Sequence, residues 1–333
     1  MIEQIVNNKI KAGIIGGSGY TGGEMLRILV NHPNVEIAFV NSTSNAGNLI
    51  SDVHTDLFGE TDLKFVSDVP QDIDVLFLCV GHGDAKKFLA ANPVNDNIKI
   101  IDLSQDFRLT ANGKFERRDF IYGLPELNRD KIKSAQNIAN PGCFATCIQL
   151  GLLPLAAKGL IKSEVHINAT TGSTGAGQSF AATSHFSWRN NNLSIYKAFE
   201  HQHLNEIGES LLQLQPSLSD SLNFIPQRGA FTRGILAAMY LESELTLEEA
   251  QNLYQDYYST HPFTHVSGKN IDLKQVVNTN KALVHLEKHG NRLFIISIID
   301  NLLKGASGQA VQNMNLIFGL EETAGLKLKA ANF

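Results

Sequence analysis

Chemistry in this chain centres on Pro141-Gly142-Cys143. Asn137-Ile138-Ala139-Asn140 reads as a strand end, and an apolar, helix-forming stretch runs from Phe144 to Lys158. Pro and Gly break the strand, so the cysteine falls at the start of the helix. Partial positive charge and free N–H groups there favour the thiolate, the reactive form of the side chain. A catalytic thiol needs a base beside it. His201-Gln202-His203 is the main histidine cluster, and Glu206 follows His203 at i+3. On a helix beginning near His203 the two share a face, so Glu206 would orient the imidazole. A solvated helix start has the same composition. Cys79 lies inside an apolar strand and Cys147 one helical turn past Cys143; both read as small buried hydrophobes. Cys143 and Cys147 have no convincing further ligands, so no metal site is expected. His32, His54, His261, His265, His285 and His289 read as surface or turn residues.

A second pattern suggests that this chemistry is coupled to hydride transfer. Residues 13–22 read Gly-Ile-Ile-Gly-Gly-Ser-Gly-Tyr-Thr-Gly. They follow a strand candidate, Lys9-Ile15, and open a helix running to about Asn31. This is the context in which a glycine fingerprint binds a dinucleotide: the backbone approaches the pyrophosphate, and the helix start supplies N–H groups. A tight structural turn is the alternative. An NAD enzyme places an acid on the ribose about 20 residues further on. Here the second strand, Val35-Val40, is followed by Asn41-Ser42-Thr43-Ser44-Asn45. No acid stands there to repel a 2′-phosphate, and the hydroxyls of Ser42 and Ser44 could bind one. NADP is therefore expected over NAD, although the usual Arg is missing.

These residues need a scaffold to hold them. Val75-Val80 is continuously apolar, as in a strand buried on both faces. Asp84-Ala91 reads as helix and Ile98-Leu103 as strand. Strands alternating with helices predict a Rossmann-type doubly wound parallel sheet. After Cys143 the pattern changes. Glu164-Thr170 and Gly234-Glu242 alternate; Ala282-Glu287 and Arg292-Ile299 flank a His289-Gly290-Asn291 turn; Leu245-Ser259 is an amphipathic helix. This predicts an α+β domain with a mostly antiparallel sheet. The expected organisation is a cofactor domain over 1–143, a catalytic and substrate domain over 144–304, and a C-terminal helix, about 305–333, packing back on the first.

The 333 residues suffice for two domains, and 43% are hydrophobic. A net charge of −5, well scattered, gives no reason to expect nucleic acid. No apolar run approaches the roughly 18 residues a membrane helix needs. Met1 to Lys9 carries Glu3 and lacks a basic start and apolar core, so no secretory signal is expected. Three cysteines make no disulfide framework, and the expected setting is a reducing cytoplasm.

Eight motifs, in order, carry a family resemblance. They are Gly16-Gly17-Ser18-Gly19-Tyr20-Thr21-Gly22-Gly23-Glu24; Asp102-Leu103-Ser104-Gln105-Asp106-Phe107-Arg108-Leu109; and Tyr122-Gly123-Leu124-Pro125-Glu126. Then come Asn140-Pro141-Gly142-Cys143; Thr171-Gly172-Ser173-Thr174-Gly175-Ala176-Gly177; and His201-Gln202-His203 with Glu206. Arg233-Gly234-Ile235 and the run from Asp300 to Ala310 complete the set. The chain resembles the N-acyl-γ-glutamyl-phosphate reductases, arginine-pathway relatives of aspartate-semialdehyde dehydrogenase. The resemblance implies Cys143 as nucleophile, His203 as general acid and base, and Glu206 as its support. It implies that the turn from Gly16, with Ser18, Gly19, Tyr20 and Thr21, holds the cofactor phosphates. Gly175, Ala176, Gly177 and Asn301 would lie near the nicotinamide. Ser173, Arg108 and Arg233 fall to the substrate, the arginines as bidentate partners for the acyl phosphate or a carboxylate, or else as structural ion pairs. Implied partners are a small acyl-phosphate substrate, inorganic phosphate as product, and further copies of the chain in a homodimer or homotetramer.

The chain departs from the family pattern in three places. Gln202 and Asn205 replace Arg and Pro, Phe144-Ala145-Thr146 replaces an aromatic residue with Pro and Thr, and Pro226-Gln227-Arg228 replaces Pro-His-Leu. Arg228 is a charge the pattern lacks, and is expected to pair with a carboxylate on a larger N-acyl group such as succinyl. The rival enzyme is an aspartate-semialdehyde dehydrogenase; the rival class is a regulator that senses NADP without chemistry and needs no activated thiol.

Overall fold

A computed structural model describes residues 9–219 and 221–331. Of the Met1–Lys9 stretch considered for a leader, all but Lys9 lies outside the described residues. The first sheet holds β1 (Ile10–Ile15), β2 (Val35–Asn41), β3 (Phe65–Val66), β4 (Val75–Leu78), β5 (Lys99–Asp102), β6 (Lys114–Phe115), β7 (Arg118–Tyr122) and β8 (Asn137–Ala139). Their spatial order is β3-β2-β1-β4-β5-β8-β7-β6, and every pairing except β6–β7 is parallel. All four residues of β4 are buried because the strand lies mid-sheet with both faces covered. The order reverses between β1 and β4, and at such a switch point a crevice opens beyond the strand ends. The glycine turn sits there, between β1 and α1 (Tyr20–Leu29). α2 (Asp84–Ala91) and α3 (Pro125–Lys133) complete this half; α3 has Pro at its first position, where a missing N–H costs nothing.

α4 (Cys143–Ala157) joins the halves. Every residue from Phe144 to Ala156 is buried, which explains a sequence apolar on all sides. It packs against the second sheet, formed by β9 (Val165–Thr171), β10 (Ser194–Ile195), β11 (Leu222–Arg228), β12 (Ile235–Glu242), β13 (Thr264–Ser267), β14 (Ala282–His289) and β15 (Arg292–Ile299). Its order is β10-β11-β9-β12-β15-β14-β13. Only β9–β11 and β13–β14 are parallel, so the sheet is mostly antiparallel. Gly290, at φ 60°, and Asn291 make the turn between β14 and β15. The helices of this half are α5 (Phe186–Arg189), α6 (His203–Leu214) and α7 (Leu247–Tyr258).

The C-terminal helix is shorter than the expected 305–333. α8 (Ser307–Ile317) stops where Gly319 adopts φ 66° and Leu320 N–H reaches back to Asn315 O, and turns follow. Residues 332–333 lie outside the described residues. α8 does pack on the first half: Ala310, Val311 and Met314 join its core, and Ser307 Oγ donates to Thr21 O at 2.8 Å.

Candidate active site

Cys143 is the first residue of α4, with Gly142 as an extended N-cap that has no side chain to satisfy the helix start. Cys143 is partly exposed as a residue, whereas Cys79 and Cys147 are buried. Burial pushes both of those up to about 12, and Cys147 Sγ lies 3.2 Å from Ser297 O. Burial also pushes the Cys143 thiol up, while Arg108 and the Phe144 N–H pull it down. The helix start therefore opposes desolvation without overcoming it. The loop before Cys143 is held from several sides. Asn140 N–H donates to Asp102 O, Asn140 Nδ2 to Ala306 O at 3.0 Å, and Asn313 Nδ2 to Asn140 Oδ1 at 3.1 Å. A Cβ added at Gly305 would meet Cys143 Cβ at 2.9 Å, so the turn before α8 closes on the cysteine.

His203 opens α6 and lies with Arg108 against Gly142, where an added Cβ would collide with both. Burial, with Arg108 and His201 nearby, holds the His203 imidazole well below the ordinary histidine value. It is neutral at neutral pH and able to accept a proton. His201 is pushed down to about 4 by burial and by Lys197. His201 Nδ1 accepts the His203 N–H at 3.2 Å, which puts the proton of neutral His201 on Nε2.

Glu206 does not orient His203 as its spacing suggested. The approach to His203 Nε2 is 3.8 Å, too long for a hydrogen bond, and His203 Nδ1 has no partner among the described residues. The carboxylate instead accepts Gly142 N–H at 2.9 Å, Tyr122 OH at 3.0 Å and Arg108 Nη1 at 3.1 Å. Gln149 Nε2 in turn donates to Tyr122 OH at 2.8 Å. Glu206 therefore clamps the loop that precedes Cys143. Sequence reading missed Tyr122 in this role; its only signal was its place at the head of the Tyr-Gly-Leu-Pro-Glu run.

One cavity of about 590 Å³ connects these groups to the glycine turn. Gly19, Tyr20 and Thr21 line it, as do Gly175, Ala176, Gly177 and Asn301. Gly19 caps α1 without a side chain, which leaves the first helical N–H groups free for an anion. Gly16 does not line the cavity; at φ 75° it makes the turn, where a Cβ would meet Cys79 O at 2.5 Å. Ser18 and Ser42 face each other at 3.1 Å, and Asn45 Nδ2 donates to Ser42 at 3.1 Å and to Ser44 at 3.2 Å. The hydroxyl cluster thus forms beside the turn. His54, read as a surface or turn residue, donates to Gly17 O at 2.7 Å, and His32 is buried against Asn315.

The four substrate-side candidates divide. Arg108 reaches the cavity, but its donors go to Glu206, Asn140 O at 2.9 Å and Leu103 O at 2.8 Å. Arg233 does not line the cavity; it is held by Glu24 at 2.5 Å and Asp300 at 3.0 Å, the structural ion-pair alternative. Ser173 also stays off the cavity, with its N–H on Phe231 O at 2.8 Å. Arg228 lines it, as do Tyr196 and Lys197, which sequence reading did not single out.

Comparison with known proteins identifies the relatives of the chain. Residues 11–135 match the semialdehyde dehydrogenase NAD binding domain, and residues 143–301 the semialdehyde dehydrogenase dimerisation domain. The chain is 62% identical over 325 residues to the N-acetyl-gamma-glutamyl-phosphate reductase of Bacteroides thetaiotaomicron, covering 97% of this chain and 100% of that one. It is 58% identical over 324 residues to that of Flavobacterium johnsoniae, with coverage of 97% and 100%. Aspartate semialdehyde dehydrogenase II from Vibrio cholerae superimposes with a TM-score of 0.72 at 16% identity, over 93% of this chain and 98% of that chain. The Candida albicans aspartate semialdehyde dehydrogenase solved with NADP gives 0.67 at 13%, over 93% and 98%. Those structures establish the shared fold; the sequence identities establish the narrower kinship, and the chain belongs to the N-acetyl-gamma-glutamyl-phosphate reductases of the semialdehyde dehydrogenase family.

Proposed function

We propose that the chain reduces an N-acyl-γ-glutamyl phosphate to the N-acyl-glutamate semialdehyde and inorganic phosphate, using NADPH and a thioester on Cys143. One observation carries the reading: the partly exposed cysteine at the start of α4 shares a cavity with the glycine turn and with His203. The relatives' activity supports the substrate class, and the family resemblance implies a step of arginine biosynthesis. The dimerisation-domain match supports a homodimer or homotetramer, and three free cysteines suit a reducing cytoplasm.

The residues fit the cofactor. The N–H groups of Tyr20 and Thr21 at the start of α1, beside the side-chain-free Gly19, would hold its phosphates, and Ser18, Ser42 and Ser44 a 2′-phosphate. Gly175 to Gly177 and Asn301 would border the nicotinamide. The hydride that reduces the thioester is the chemistry the bound nicotinamide supplies. All else falls to the protein. Neutral His203 takes the Cys143 proton; the thiolate attacks the acyl carbon, and phosphate leaves with the electrons of the broken C–O bond. An acyl phosphate is activated, so this departure needs little acid catalysis. His203 then protonates the oxyanion formed on reduction, while N–H groups at the start of α4 stabilise it. In the thiohemiacetal's collapse the hydroxyl proton returns to His203, the C–S bond breaks, and the semialdehyde leaves.

The reverse direction gives the test. Phosphate-dependent reduction of NADP⁺ is expected with N-acetyl- or N-succinyl-glutamate semialdehyde; no such reduction with either defeats the reading. Ser42→Asp tests the cofactor end. A carboxylate beside a 2′-phosphate costs about 1 kcal/mol even in water-like surroundings, and more as the site dries. The NADPH-to-NADH ratio of kcat/KM is expected to fall roughly tenfold, and an unchanged ratio would remove these hydroxyls from the site.

A further inference from the structure

Arg228 is the last residue of β11, paired with Thr171 of β9 on one side and Ser194 of β10 on the other. Its carbonyl accepts Arg189 Nη1 at 2.7 Å, and Arg189 Nη2 also donates to Ser194 Oγ at 3.1 Å, so the strand end is pinned. The guanidinium stacks on the Tyr196 ring at 4.7 Å and faces the cavity that holds Cys143. Arg228 Nε is buried and has no hydrogen-bond partner among the described residues. A buried charged donor left unpaired is costly, and a ligand is the natural source of the missing acceptor.

The charges around it sharpen this point. Among the described residues, no Asp or Glu lines the cavity. Arg108 is neutralised by Glu206. Lys197 also lines the cavity, and among the described residues its ammonium forms no ion pair and donates one hydrogen bond, to Gln202 Oε1 at 3.4 Å. Two cations without carboxylates therefore stand on the wall of the nucleophile's cavity, on the side of His201, whose imidazole both of them push down. The proposed substrate brings its phosphate to Cys143 and carries one α-carboxylate. With an N-acetyl group it brings no second carboxylate.

We infer that Arg228, stacked on Tyr196, receives a carboxylate at the far end of the N-acyl group, so that the preferred substrate is a dicarboxylic N-acyl derivative such as N-succinyl rather than N-acetyl. The planar fork of Arg suits a bidentate carboxylate and leaves the α-carboxylate to Lys197. This inference rests on the reductase reading and adds the identity of the acyl group.

The experiment compares kcat/KM for N-succinyl- and N-acetyl-glutamate semialdehyde, with phosphate and NADP⁺, in wild type, Arg228→Leu and Arg228→Lys. Wild type is expected to prefer the succinyl substrate by at least about tenfold. In Arg228→Leu the succinyl-to-acetyl ratio should fall about 10- to 100-fold, the scale of one charge-assisted pair, mainly through KM. Arg228→Lys should recover part of it. An acetyl preference in wild type overturns the inference even if Arg228→Leu does not fold. So does a ratio unchanged in Arg228→Leu, which would put Arg228 on the α-carboxylate common to both substrates. In either case activity persists and the reductase reading stands; absence of phosphate-dependent activity on both substrates defeats that reading as well.

Discussion

Cys143→Ser is expected to lower kcat at least about a hundredfold, or roughly 2.7 kcal/mol of barrier, with KM changing far less. The substitution keeps the size of the side chain and the start of α4, so the cavity survives. It removes the group that becomes the thioester, and a hydroxyl beside neutral His203 is a far weaker nucleophile. Near-normal turnover by the serine variant would overturn covalent catalysis. Alkylation provides an independent reading. Cys79 and Cys147 are buried and pushed up to about 12, so iodoacetamide should label Cys143 alone. Because burial also pushes Cys143 up, its labelling rate should keep rising with pH beyond the ordinary thiol range. A plateau near neutral pH would mean that Arg108 and the helix start outweigh burial after all.

Much of the scaffold was legible because local pattern and tertiary fate agree. Val75–Leu78 is apolar and mid-sheet; Asp84–Ala91 is helix as read; the strand–Pro–Gly–Cys–helix switch stands where Pro and Gly break the strand. Legibility fails where long-range partners decide. β11 was not read as a strand because Pro226 interrupts its pattern, yet the Pro226 carbonyl accepts Tyr196 N–H and the strand pairs β9 in parallel. Spacing set Glu206 beside His203, whereas its hydrogen bonds go to Arg108, Tyr122 and Gly142, which are 64 to 98 residues away. The charge of Arg233 suggested an anion site, but Glu24, 209 residues distant, occupies it. A helix face or a charge visible in sequence says what a side chain can do. The partner that claims it belongs to the fold.

The second large effect separates the proton carrier from the clamp. His203→Asn is expected to lower kcat on the order of 10²-fold or more, the scale of general acid–base catalysis. Its neighbours Phe144 and His201 pack edge-on to the imidazole, and Asn leaves that pocket loosely filled without burying a charge. Since burial and Arg108 hold His203 well below the ordinary histidine value, the acid limb of wild-type kcat/KM should also lie below it, and should vanish in the variant. Glu206→Gln removes the carboxylate charge that pairs with buried Arg108 while keeping an oxygen for Gly142 N–H. It should lower Tm, because the loop that presents the thiol loosens. With Arg108 no longer offset, it should also speed alkylation of Cys143 and move the acid limb lower without abolishing it. His201 offers the counter-test. Its Nδ1 is already engaged by the His203 N–H, so His201→Asn should cost less than His203→Asn. If it costs more, the proton passes through His201 Nε2, and His203 is the residue that packs against the loop.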